Sequence, residues 1–236
     1  MNAKSSELDI RDLGRMAYAP ALEIQREINL AVSRDEAPET LLLVEHDPVI
    51  TVSHRKDAQA HVLGSPLQRK RLGIELAETD RGGDVTYHGP GQLVAYPILR
   101  LDRHGLNLAR YMRMLEDVVM ETVAAFEVTA QRELGATGVW ADRPAPPVGE
   151  PALAKLAALG VRVRKHTTLH GLALNVTTDL THFQLIDPCG LGYRPVTSLA
   201  ALLKARCPTM DEVKVQLAEA MNASLFSPAT PTPPAT

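Results

Sequence analysis

Apolar residues recur every three or four positions along three stretches of the chain. From about Tyr18 to Ser33, Leu22, Ile24, Ile28 and Val32 make an imperfect apolar face. From about Asn107 to Phe126 the face is fuller, with Leu108, Met112, Leu115, Val119, Val123 and Phe126, and Asn107 is suited to cap its start. From about Met210 to Leu225, Val213, Leu217, Met221 and Leu225 align behind a Thr209 cap. This spacing predicts three amphipathic helices. Between them lie short apolar or alternating runs rich in Val, Leu and Thr: Leu41 to Glu45, Val49 to Val52, Gln92 to Leu99, Gly138 to Trp140, Leu159 to Arg164 and Leu169 to Val176. These predict strands. Strands clustered with few helices between them predict an α/β (α+β) fold with a mixed β-sheet packed with helices. A doubly wound fold would alternate the two strictly.

Two stretches break the pattern. Ser227 to Thr236 has nothing to bury and four prolines, and is expected to be a disordered Pro/Thr-rich tail. Arg143 to Pro151 is Pro-rich and reads as a loop, either a linker or a surface insertion; the strand-like pattern on both sides favours the insertion. Residues 1–226 are therefore expected to form one domain. At 236 residues the chain is long enough to bury roughly 70% of its unfolded surface.

Composition narrows the class. A content of 45% hydrophobic and 22% charged residues excludes disorder for the bulk of the chain. Cys189 and Cys207 alone exclude a disulfide scaffold. No apolar run approaches the ~18 residues of a membrane span. A net charge of −3 argues against a nucleic-acid partner, which needs a basic face. The segment Met1 to Asp9 is polar and contains acids, unlike a secretory or transit leader. A reducing cytoplasm, with both cysteines as thiols, is the expected location. No membrane association is expected, and the chain is expected to be a monomer.

The densest chemical signal is Arg81-Gly82-Gly83-Asp84-Val85-Thr86-Tyr87-His88-Gly89-Pro90-Gly91-Gln92. Four glycines in twelve residues are costly unless the backbone needs unusual torsions or close approach. The segment reads either as a hairpin with glycine turns or as a loop laid against a ligand with its N–H groups exposed. It is neither a phosphate P-loop nor a dinucleotide fingerprint. Cys189 sits in Asp187-Pro188-Cys189-Gly190, a turn that allows either an inert thiol or one facing a cleft. A nucleophilic cysteine needs a neighbouring cation, base or helix N-terminus. Lys155 is a lone cation in an apolar stretch leading into a strand. It is either a lysine reaching solvent along its stem or a cation placed beside a thiolate. His166 and His170 are separated by an extended piece of about 13 Å, too far apart for one metal. No metal and no cofactor are expected.

Taken together these segments resemble the lipoate-biosynthesis octanoyltransferases, the lipoate-protein ligase B family, whose fold is similar to the catalytic domains of biotin and lipoate protein ligases. The resemblance spans roughly Leu41 to Leu203. It begins with Leu42-Leu43-Val44-Glu45-His46-Asp47-Pro48, takes in the glycine-rich segment with Leu93-Val94-Ala95-Tyr96-Pro97, and includes Lys155-Leu156-Ala157-Ala158-Leu159-Gly160-Val161-Arg162. It continues through His170-Gly171-Leu172-Ala173-Leu174-Asn175-Val176, then Pro188-Cys189-Gly190 and Val196-Thr197-Ser198-Leu199. By this resemblance Cys189 stands at the acyl-carrying nucleophile and Lys155 at the lysine that lowers its pKa. Arg81, Gly82, Gly83, Asp84, Val85, Thr86, Tyr87 and His88 match a substrate-binding segment. So do Ala158, Leu159 and Gly160, and Gly171, Leu172 and Ala173. Val85, Leu159 and Leu172 are expected to offer apolar area to an acyl chain. The loop at Arg143 to Pro151 is longer than the family's usual connection.

The resemblance implies transfer of an octanoyl group from octanoyl-acyl carrier protein, through a cysteine thioester, to the acceptor lysine of lipoyl domains. Such domains belong to 2-oxoacid dehydrogenase E2 subunits and to the glycine cleavage H protein. Splitting one step into two is the logic of covalent catalysis. Arg162, Arg164 and Lys165 form a basic rim on which an acidic carrier would dock. Two competing readings make different demands: an ATP-dependent lipoate or biotin protein ligase needs no cysteine nucleophile, and a carrier-binding module needs neither Cys189 nor Lys155.

Overall fold

A seven-stranded mixed sheet carries helices on one face and a helix with a small second sheet on the other. The computed structural model describes residues 7–144, 146, 149–187 and 194–226. In chain order the strands are β1 (Asp9–Met16), β2 (Thr40–His46), β3 (Val49–Ser53), β4 (Glu75–Thr79), β5 (Val85–His88), β6 (Gln92–Ile98), β7 (Ala130–Glu133), β8 (Ala136–Asp142), β9 (Leu153–Arg164) and β10 (Thr167–Asn175). The helices are α1 (Tyr18–Ser33), α2 (Pro66–Arg71), α3 (Leu108–Ala124), α4 (Leu199–Leu203) and α5 (Met210–Phe226). The large sheet runs β1-β2-β6-β10-β9-β8-β7, antiparallel apart from the β1–β2 pair. The small sheet runs β4-β3-β5.

Strand alternation splits the hydrophobic residues between two cores. Leu41, Leu43, Leu93, Leu172 and Leu174 join Leu115, Val119 and Val123 of α3 and Val213, Leu217 and Met221 of α5. Their sequence neighbours Leu42, Val44, Val94, Tyr96 and Ala173 face the other way, onto Ile28 and Val32 of α1. Strands buried on both faces read as continuous apolar runs. Asn107 accepts a hydrogen bond from the Arg110 amide at 2.9 Å, capping α3 as expected. Thr209 and Glu212 bond each other's amides at the start of α5.

The imperfect apolar face of α1 has a cause. Gln25 and Asn29 point at β10, where Gln25 accepts from the His170 amide at 3.1 Å and Asn29 donates to the Thr168 carbonyl at 2.9 Å. The Pro-rich stretch connects two paired strands, since Asp142 of β8 lies opposite Leu153 of β9. The tail from 227 onward lies outside the described residues. Among the described residues no helix is long and apolar enough to cross a membrane.

Candidate active site

Lys155 lies inside β9, not in a stretch leading into it; the strand begins at Leu153 rather than Leu159. Its direction is set by a bulge. Val139 pairs with Ala157 and Trp140 with Lys155, so Leu156 is an extra residue in the ladder. Leu156 and Ala157 both enter the core under α3 and α5. The bulge thereby turns Lys155 to the opposite face, the one carrying Ala158 and Gly160. Lys155 is also stitched to the chain that follows Cys189. Its amide donates to the Pro195 carbonyl at 2.9 Å, and its carbonyl accepts from the Thr197 amide at 2.9 Å. Pro188, Cys189 and Gly190 themselves lie outside the described residues.

The glycine-rich segment docks on the same strand. Gly82 donates to the Val161 carbonyl at 2.9 Å. Gly160 is small for this reason: a Cβ there would meet the Gly82 carbonyl oxygen at 2.8 Å and the Arg81 stem at 3.1 Å. Ala158 and Gly160 pair with Ala173 and Gly171 on β10. Arg81, Gly82, Gly160 and Gly171 are thus brought together. Arg81 folds back on its own loop, donating to the Thr51 and Asp84 carbonyls, each at 3.0 Å. Ser53 closes the loop by donating to the Gly83 carbonyl at 2.9 Å. Asp84 is buried, and its carboxylate accepts from His61 Nδ1 at 2.6 Å. Thr86 of β5 pairs with Thr51 of β3.

Leu159 and Leu172 pack into the α3/α5 core, because alternation sends them to the face opposite Ala158 and Ala173. Val85 and Tyr87 fill a separate core with Ile50, Val52 and Leu185.

Polar side chains on this face form directional chains. His88 Nδ1 donates to Gln92 Oε1 at 2.7 Å, Gln92 donates to Asn175 Oδ1 at 2.9 Å, and Asn175 donates to the Thr197 carbonyl at 3.0 Å. The run joins the glycine-rich segment to the residues that hold Lys155. His46 Nδ1 donates to the Met16 carbonyl at 3.1 Å and Nε2 accepts from the Tyr96 hydroxyl at 2.7 Å. Burial pushes His88 down to about 3 and His46 to about 4, so both rings are neutral at ordinary pH. Burial pushes the Tyr87 hydroxyl up to about 12.

Asp80 binds two partners, His170 Nε2 at 2.7 Å and Arg162 at 2.7 Å. Burial works to raise Asp80, but the His170 hydrogen bond and the charges around it bring the carboxyl below its ordinary value. Burial lowers His170 despite Asp80. The contact is accordingly a hydrogen bond from a neutral imidazole to a carboxylate. Sequence reasoning passed over Asp80 and gave no individual role to Asn175 or Trp140; the last could have been suspected as the sole tryptophan, in the strand that precedes β9.

Beside Asp80, a groove of about 240 Å³ between α1 and the β9–β10 hairpin gathers Arg26, Arg162, Arg164 and Lys165. Among the described residues no group of three His, Cys, Asp or Glu side chains is placed to hold a metal ion.

Residues 17–222 match the family model of the lipoyl protein ligase A/B catalytic domain. The chain belongs to that family. An octanoyltransferase of Geobacter metallireducens is 45% identical over 202 residues, 86% of each chain. One from Chloroflexus aurantiacus is 44% identical over 211 residues, covering 89% of this chain and 90% of its own. A crystal structure of lipoate-protein ligase A bound with ATP superposes with a TM-score of 0.70 at 19% identity, covering 93% of this chain and 85% of that one, and shows the shared fold. With relatives of this kind over most of its length, the family member described here is an enzyme, an acyltransferase.

Proposed function

We propose that this enzyme takes an octanoyl group from octanoyl-acyl carrier protein onto Cys189 and passes it to the acceptor lysine of a lipoyl domain. The observation that carries the reading is the bulge at Leu156. It brings Lys155 onto the face that holds Ala158, Gly160 and the Arg81–Gly82 loop, and the chain leaving Cys189 is hydrogen-bonded to Lys155 on both sides. Relatives named octanoyltransferase support the acyl group, and the Pro-Cys-Gly sequence supports a nucleophile.

In the first half-reaction the Cys189 thiolate attacks the thioester carbonyl carbon. A Cys189 S–C bond forms, the carrier's C–S bond breaks, and the leaving thiolate takes up a proton. In the second, the acceptor's neutral amine attacks the acyl-enzyme. An amide N–C bond forms, the Cys189 sulfur leaves, and the amine nitrogen gives up one proton. The first step is nearly neutral in energy and the second downhill, so no ATP is consumed. Lys155 as an ammonium favours the thiolate. The glycines at 160 and 171 let neighbouring backbone approach closely, which seats the Arg81–Gly82 loop beside Lys155 and Ala158, where we place the acyl group. The basic groove at Arg26, Arg162, Arg164 and Lys165 is a docking place for an acidic carrier.

Intact-protein mass spectrometry with octanoyl-acyl carrier protein, without ATP or acceptor, tests this. The expected result is one octanoyl adduct on Cys189 that discharges when a lipoyl domain is added. Cys189→Ala should stay folded and form no adduct. Turnover that depends on ATP and free octanoate, with no adduct on the folded wild type, would instead support the ligase reading.

A further inference from the structure

Trp140 is buried, with 1% of its surface exposed, and directly opposite Lys155 in the β8–β9 pair. Lys155 Nζ lies over the indole, 4.8 Å from the ring centroid. The Arg194 guanidinium lies over the same ring at 5.6 Å. Arg194 is in turn paired with Glu133 of β7 at 2.5 Å. The indole is fixed at its other end, where Nε1 donates to the Ala136 carbonyl at 3.2 Å. Room for the lysine stem comes from Gly138, whose Cβ, if present, would meet Lys155 Cε at 3.2 Å and the Ala157 carbonyl at 2.7 Å; its φ of +130° also suits glycine.

We propose that Trp140 is a positioning residue for Lys155: its ring face holds the ammonium charged and in place, and the same ring carries Arg194, five residues after Cys189 in the sequence. An aromatic face attracts a cation through its quadrupole, and the attraction grows as water is excluded. Contact with a fixed ring face narrows the rotamers of a flexible lysine stem. One buried ring thus joins the β8–β9 pair, where Lys155 is set, to Arg194 in the chain that follows Cys189. Glu133 balances the second cation, so Arg194 and Lys155 share the ring without leaving its surroundings doubly charged. This rests on the proposed role of Lys155 in acyl transfer.

The contact has its own signature, because Trp140 is the sole tryptophan. Lys155→Met in the full chain should change the emission intensity or maximum of that tryptophan, with the circular-dichroism melt retained. Unchanged emission in the folded variant would overturn the contact. For function, Trp140→Leu should lower kcat for octanoyl transfer and the rate of Cys189 alkylation at pH 7 by about tenfold or more, with KM for the carrier within about twofold. Trp140→Phe keeps a ring face and should recover most of the loss. A folded Trp140→Leu enzyme with wild-type kcat, or a folded Trp140→Phe as impaired as Trp140→Leu, would overturn the positioning role. If Trp140→Leu does not fold, Trp140→Phe and the Lys155→Met emission still decide. Wild-type transfer by Lys155→Met would sink the catalytic reading of Lys155, and is distinguishable from an emission result that sinks the contact alone.

Discussion

The two faces of the large sheet are built from the same strands and do different work. The face under α3 and α5 is a close-packed apolar layer in which Leu115, Val118, Val119, Val213, Leu217 and Met221 are fully buried against Leu93, Leu156 and Leu174. The face toward α1 and the small sheet begins apolar at Leu42, Val94 and Ile98 but becomes polar toward the site. Buried there are Gln25, His46, His88, Gln92, His170 and Asn175, next to glycines and alanines. Buried polar groups must each be satisfied, and cost stability where an apolar residue would add it. The difference teaches that one face supplies the cohesion that the other spends on a precise polar arrangement.

The largest effect is expected from opening the cohesive face. Leu115→Ala removes a fully buried side chain from the centre of the α3 contact. It should cost about 2–5 kcal/mol in urea unfolding. Acyl transfer per folded molecule should stay within about twofold of wild type. A large fall in kcat with the protein still folded would show that the two faces are not separable.

The polar face should reveal itself through pH. The folded values of about 4 for His46 and about 3 for His88 lie below the ordinary 6.5 that applies once the chain unfolds. Below about 6.5 the unfolded chain takes up protons that the folded one refuses. Stability is therefore full above that pH and drains as pH falls toward 4 and 3. At pH 5 each histidine should cost about 2 kcal/mol relative to pH 7.5. His88→Asn should shrink that pH difference by one such share, measured as urea midpoints at the two pH values. An unaltered pH slope in the variant would mean that His88 is not held neutral by burial.

The same contrast explains what could be read from sequence. The packing of α3 was legible because Leu115, Val119 and Val123 step at helical spacing, and Asn107 announces the start. The two-sided burial of β2, β6 and β10 was legible as apolar runs. β1 was not, because Asp9-Ile10-Arg11-Asp12-Leu13-Gly14-Arg15-Met16 is a charged, mostly exposed edge. On the polar face, Lys155, the glycine-rich segment and the short pairs around Gly160 and Gly171 stood out as residue types. Their geometry did not, because it hangs on one extra residue at Leu156, and a bulge leaves no mark in composition. For the same reason the packing of Leu159 and Leu172 against the α3 and α5 core was not legible from their residue types.

A smaller effect is expected where the two sheets touch. Gly160→Ala places a methyl 2.8 Å from the Gly82 carbonyl oxygen. The Arg81–Gly82 loop must lift from β9, at about 1–3 kcal/mol. If that loop binds substrate as proposed, kcat/KM for octanoyl transfer should fall about tenfold or more, a larger share than the stability loss explains. A proportionate fall in both would reduce Gly160 to a packing residue.

The smallest effect is expected at the other cysteine. Cys207 is half-buried at the edge of the apolar core, with Sγ 3.9 Å from the Val176 carbonyl oxygen and 3.5 Å from that of Pro208. Burial pushes its thiol up, so it stays protonated at neutral pH, and a protonated thiol is a poor nucleophile. Cys207→Ala should change stability by about 1 kcal/mol or less. It should leave transfer, and the rate of inactivation by iodoacetamide, at wild-type values. The chain has only two cysteines, so inactivation that persists in this variant points to Cys189. Protection from iodoacetamide in Cys207→Ala would instead place the reactive sulfur on the cohesive face, and the division of labour between the faces would have to be redrawn.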